Sequence, residues 1–174
     1  MPISKIGTAK KHDIKTVEAN ARIANPSALI IKADLEMRMD KPEIVRGKNV
    51  IVIEDGPTLT HGQMRYGAGM IMAKKCNSKI VDASRYAVGS IRSVYKKYPH
   101  LGKILPAMGY SARQMKELED TINRAKCDAV IEATPSDLSR LLKINKPVCE
   151  VHYSLKPSKT LDKILDSFAK RVKK

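Results

Sequence analysis

Val50-Ile51-Val52-Ile53-Glu54-Asp55-Gly56-Pro57-Thr58-Leu59-Thr60-His61-Gly62 is the stretch on which the fold turns. Four consecutive β-branched residues mark a strand buried on both faces. The strand then changes to two acids, a Gly-Pro turn, two hydroxyls and an imidazole. In an open α/β sheet the carboxyl end of such a strand is where ligands bind. Glu54 and Asp55 side by side fit a hard cation or proton transfer. His61 fits a donor to phosphate or an acid/base. A plain strand-to-helix turn needs only one hydroxyl, Thr58 or Thr60, as an N-cap. It does not account for the acids and the histidine together.

Working outward, short apolar runs alternate with helical periodicity. Residues 28–31, 50–53, 79–81, 129–131 and 148–151 read as buried strands. Ile14, Val17, Ala21 and Ala24 form one helical face; Met64, Ala68, Ile71 and Met72 form another. Met115, Leu118, Ile122 and Ala125 follow the capping box Ser111-x-x-Gln114. Thr134-Pro135-Ser136-Asp137 reads as a helix start with Thr134 as the cap, and Leu161 to Val172 as a last amphipathic helix. The charged stretch 34–47 reads as a connection. The expectation is an α/β fold, a mostly parallel sheet of about five strands flanked by helices on both faces, Rossmann-like and three-layered. The 174 residues are expected to form a single domain.

In such a sheet the segments after each strand, 54–61, 82–86 and 134–137, are expected to meet on one edge. Arg85 and two helix N-termini would join them, a suitable setting for phosphate. Gly62, Gly67 and Gly69 would allow close approach, with helix–strand packing the competing reading of Gly67-Ala68-Gly69. Residues 96–111, with Lys97, Tyr98 and Tyr110, read as a long functional loop able to clamp an anion. There is no GxxxxGK[ST], GxGxxG, zinc-protease helix or serine elbow.

The net charge of +15 is concentrated: between Gly56 and Lys116 the only acid is Asp82, against eleven lysines and arginines. A field of that sign gathers anions such as phosphorylated metabolites, nucleotides or nucleic acid. An aromatic content of 4% and the absence of an RNA-binding motif leave nucleic acid or a ribosomal partner the weaker alternative. Three scattered cysteines without a CxxC pair indicate neither a disulfide framework nor a zinc site. No run is long enough to span a membrane and no signal-peptide pattern opens the chain, so a cytoplasmic setting with no membrane partner is expected.

At Glu54 to Gly69 the chain resembles the cyclic 2,3-diphosphoglycerate synthetase family, also described as archaeal GTPase-like proteins. Collinear matches follow at 80–82, 86–91, 97–102, 105–111, 134–135, 137–138, 140 and 143–147. Members are longer and carry a P-loop region upstream, so the resemblance is to their C-terminal portion, with residues 1–46 a candidate remnant of the nucleotide-binding region. It implies ATP-dependent closure of 2,3-diphosphoglycerate to its cyclic anhydride, with ATP and Mg²⁺. It further implies Glu54, Asp55 and His61 as catalytic residues and Glu54 and Asp55 as metal ligands. Thr58, Thr60, Gly62, Arg85, Tyr86, Ser90, Lys97, Tyr110, Thr134 and Arg140 would bind substrate phosphate, and Lys5 nucleotide. Ser4 and Gly7 stand where an NKxDTA segment has asparagine and aspartate. Ala83-Ser84-Arg85 replaces a proline–arginine–proline turn, and Ala133 replaces the glycine before Thr134-Pro135. Two forms of this reading stand nearly level. One is a split ligase needing a P-loop partner subunit; the other is a protein that binds a phosphorylated small molecule without turnover. Association into a homo-oligomer fits either.

Overall fold

The computed structural model describes every residue except 1, 5, 8, 63–65, 110, 157–158 and 173–174. In chain order the elements are β1 (Pro2–Ile3), α1 (Lys11–Ala24), β2 (Ile31–Lys32), β3 (Leu35–Met39), β4 (Asn49–Asp55), α2 (Gly56–Thr60) and α3 (Ala68–Lys75). There follow β5 (Lys79–Ile80), α4 (Gly89–Lys97), β6 (Leu105–Ala107), α5 (Ala112–Arg124), β7 (Ala129–Ala133), α6 (Leu138–Leu141), β8 (Val148–Leu155) and α7 (Lys159–Val172). The chain divides into two compact units, Met37–His152 and Met1–Glu36 with Tyr153–Lys174.

The larger unit is built on β4. Val50, Ile51, Val52 and Ile53 are all fully buried, about 1.5–3 kcal/mol of apolar burial each. Their alternation serves two cores. Ile51 and Ile53 pack with Ile91 of α4, Leu118 and Ile122 of α5 and Leu138 of α6. Val50 and Val52 pack with Met72 and Ala73 of α3, Ile131 of β7 and Cys149 of β8. One sheet with a core on each face makes three layers. The order is β3-β8-β7-β4-β5, with β6 also on β4, six strands in all. The β4–β5, β4–β6, β4–β7 and β7–β8 pairs are parallel. The expected α/β architecture with a mostly parallel sheet is therefore what the chain forms.

Three local readings change. Residues 34–47 are not only a connection: Leu35, Met37 and Met39 alternate with Glu36 and Arg38, and β3 takes the sheet edge. Within 105–111, Leu105-Pro106-Ala107 is a strand, its proline standing on the side-by-side pairing of Glu54 with Pro106. Thr134 does not cap the helix after β7. The Asp137 carboxylate accepts from the Arg140 amide and the helix begins at Leu138. Ser111 does cap α5, accepting from the Gln114 amide at 3.3 Å.

In the smaller unit β1 and β2 pair in parallel, Ile3 opposite Lys32. The strand expected at 28–31 is thus shifted to Ile31–Lys32, and Leu29 is exposed. Asp34 accepts from the Gly7 amide and from Lys156 Nζ, 3.1 Å away. α1 and α7 bury no residue. No helix among the described residues is long and apolar enough to cross a membrane. Cys76, Cys127 and Cys149 are free thiols.

Candidate functional site

Strand register decides which segments share an edge. Glu54 lies opposite Ala133 on β7 and opposite Pro106 on β6. The segments after β4, β6 and β7 therefore leave the sheet together. β5 does not reach that edge. Its pairing ends at Val50–Ile80, and β6 occupies the side of β4 further along. Four residues of strand, about 13 Å, separate the two levels. The segment 82–86 is consequently not at the rim: the Ala83 amide donates to the Lys103 carbonyl, beneath β6. Arg85 is exposed and pairs with Asp82 at 3.5 Å, and Tyr86 packs on the core.

At the rim Glu54 and Asp55 point to different helices, as successive strand residues do. Glu54 is buried; its Oε1 accepts the amides of Gly67 (3.0 Å) and Met70 (2.9 Å). Burial raises its pKa above the usual carboxylate value, against the pull of those N–H groups. Asp55 caps α2, accepting from the amide and the hydroxyl of Thr58. Gly69 lies where a Cβ would meet Val52 and Ala133, so close helix–sheet packing explains it.

Thr60 is buried and donates its single hydroxyl proton to the Gly56 carbonyl at 2.9 Å. Its Oγ1 is also 3.0 Å from His61 Nδ1. With that proton engaged, Oγ1 accepts from His61 Nδ1–H, which in the neutral ring places the lone pair on Nε2. His61 is exposed, which leaves Nε2 open to a ligand proton. His100 lies close by, its Nε2 donating to the Leu59 carbonyl at 2.9 Å. That bond, with the small core of Leu59, Leu101 and Ile104, brings the 99–101 turn against α2. Lys97 ends α4, its Nζ 5.3 Å from the Tyr98 ring.

The helix starts expected to hold phosphate are filled by the chain's own carboxylates. Glu54 serves α3 and Asp55 serves α2, while Asp137 and Glu132 serve α6. At α4, Glu117 takes both the amide and the hydroxyl of Ser90, and its pKa is lowered chiefly by the Ser90 hydroxyl. Ser90 is thereby held against α5. The Thr134 hydroxyl accepts from the Ser136 amide, and Arg140 pairs with Asp137 at 2.8 Å. Gly62 is tied to the end of α2, its amide donating to the Pro57 carbonyl. Lys5 and Tyr110, like Met64 in the helical face, lie outside the described residues.

The structure adds one residue to the rim. Glu132, next to last on β7, is 3% exposed. Its Oε1 accepts the Leu138 amide at 2.7 Å and its Oε2, buried, has no hydrogen-bond partner. Desolvation, then Glu150 and Asp137, push its pKa up to about 7. Its signal in the sequence was an acid inside the apolar run Ala129-Val130-Ile131-Glu132-Ala133.

Mg²⁺ was expected on Glu54 and Asp55. The donor set does not fit a shared ion, because one carboxylate is turned into α3 and the other into α2. Among the described residues no three His, Cys, Asp or Glu side chains gather as metal ligands.

Fold and rim together define a parallel α/β protein whose polar groups collect at the carboxyl edge of the sheet. No protein-family profile matches the chain. It is 51% identical, over 99% of its length, to a Thermococcus kodakarensis protein named Arginine synthetase ArcE. The match covers 39% of that relative, so the chain spans well under half of the relative's length.

Proposed function

We propose that this chain is the substrate-binding portion of an arginine synthetase, with the substrate at the carboxyl edge of β4, β6 and β7. The observation that carries this reading is the 51% identity, across 99% of the chain, to Arginine synthetase ArcE. The meeting of three strand ends at Glu54, Pro106 and Ala133 supports the location. His61 gives or takes a proton through Nε2. His100 and the α2 caps hold the His61 turn in place. The family resemblance assigns nucleotide to a P-loop region, and no GxxxxGK[ST] occurs in these 174 residues.

The Glu54–Gly69 motif favours a second reading, the C-terminal portion of a cyclic 2,3-diphosphoglycerate synthetase. Carboxylates already seated at the helix starts speak against a doubly phosphorylated substrate there. Calorimetric titration of the chain with L-arginine and, separately, with 2,3-diphosphoglycerate separates the two. Saturable binding of arginine supports the first reading. Binding of the diphosphoglycerate without binding of arginine overturns it in favour of the second.

A further inference from the structure

Glu132 Oε2 is the one buried side-chain oxygen or nitrogen among the described residues that lacks a hydrogen-bond partner. A buried carboxylate with half its acceptors unused is costly to keep. An apolar side chain of similar volume would serve the packing around Ile53, Leu138 and Leu142 at lower cost. Among the described residues no cation is among the groups that act on it. The groups that face it are Glu150, directly in register on β8, and Asp137, beyond the end of β7. Asp137 is paired with Arg140 and Glu150 stands 3.6 Å from His152. β4 presents Ile53 in register, and α6 presents Leu138.

We propose that Glu132 anchors the cationic end of the ligand, a guanidinium, through its free Oε2, with Glu150 as the second carboxylate of the pair; this rests on the arginine reading above. The two side chains stand on one face of adjacent strands, because residues in register point the same way. Glu150 keeps 35% of its side chain exposed, so an incoming cation meets it first and Glu132 behind it. A guanidinium offers five N–H donors in a planar fork, enough for both carboxylates at once. An ammonium is a point charge and lacks that match. The 134–137 turn and α6, a helix of 4 residues whose Leu138 amide donates to Oε1, close the other side of Glu132. Leu141 of α6 is exposed but Leu138 and Leu142 are buried in the core, so the cation approaches Oε2 from the Glu150 side and not by lifting α6.

The test compares the wild-type chain with Glu132→Gln by calorimetry, using L-arginine and L-citrulline at pH 6.5 in two buffers of different ionisation heat. Glutamine keeps an acceptor for the Leu138 amide and removes the charge. The wild type is expected to prefer arginine over its neutral ureido analogue and to release protons as Glu132 ionises against the guanidinium. Glu132→Gln should lose about tenfold to hundredfold in arginine affinity, the worth of a charge-assisted bond, and show no proton release. Equal affinity and equal proton release in the two proteins overturns the assignment while leaving the arginine reading standing. Failure of the wild type to bind arginine overturns that reading, and this inference with it. Should Glu132→Gln not fold, Glu150→Gln serves: weaker arginine binding supports the pair, unchanged binding refutes it.

Discussion

Glu54 and Gly67 are 13 residues apart in sequence, and the Glu54 carboxylate sits on the Gly67 amide at 3.0 Å. A Cβ at residue 67 would lie 2.2 Å from Glu54 Oε2. One acid of the site motif thus fixes where α3 begins, and the glycine leaves it the room to do so.

Gly67→Ala should therefore destabilise the chain by about 1–3 kcal/mol, since the pinned carboxylate cannot move aside. Glu54→Ala should cost a similar amount by leaving the two half-buried amides of Gly67 and Met70 without their carboxylate. Urea midpoints at constant m-value measure both. A neutral Gly67→Ala would show that the carboxylate is free to shift.

Glu132 gives stability a dependence on pH opposite in sign to that of a salt-bridged acid. Its folded pKa, about 7, lies above the ordinary value of 4.5. The contribution is fully present below about pH 4.5 and lost as pH rises through 7, on the order of 3 kcal/mol in all. Glu132→Gln should match the wild type in acid and exceed it at pH 8. Melting curves across this range check the crossover.

The two ends of α2 should respond differently. Asp55→Ala removes a cap and should cost about 0.5–2 kcal/mol. His61→Ala, at an exposed position, should change stability by less than about 0.5 kcal/mol. If the His61 Nε2 lone pair meets the ligand, His61→Ala weakens arginine binding with the fold intact. Paired denaturation and titration experiments separate the effects.

Ser90 should behave as a structural residue in the first turn of α4, where Glu117 is the acceptor. Its amide and its hydroxyl both donate to Glu117, so Ser90→Ala, which removes the hydroxyl bond, is expected to lower stability by about 1 kcal/mol and leave ligand affinity unchanged. Titration of the variant with arginine is the measurement; a loss of affinity would put α4 at the ligand.

β4 and β7 were legible from sequence because their apolar runs are buried on both faces. β3 was hidden by Glu36 and Arg38, the alternation of an edge strand, and read as charge. β6 was hidden by Pro106, which ordinarily argues against a strand and is tolerated here on a three-residue piece. That short strand is also why Asp82–Tyr86 missed the rim: nothing local in the sequence says that β6 displaces β5 beside the end of β4. The acids, Thr60 and His61 were legible as a cluster. Their division between two helices was not, because it depends on the pleat of β4 and on α3 arriving from residue 67. Glu132 was passed over because an acid after Ala129-Val130-Ile131 looks like the exit from a strand; only the register with Ile53 and Glu150 puts it inside.

The most direct test of a ligand site at the carboxyl rim is an amide chemical-shift map of the isotope-labelled chain during titration with L-arginine. The largest changes are expected at residues 54–62, 108–109 and 132–138. Changes confined to 11–24 and 159–172, with the rim silent at saturation, would contradict it.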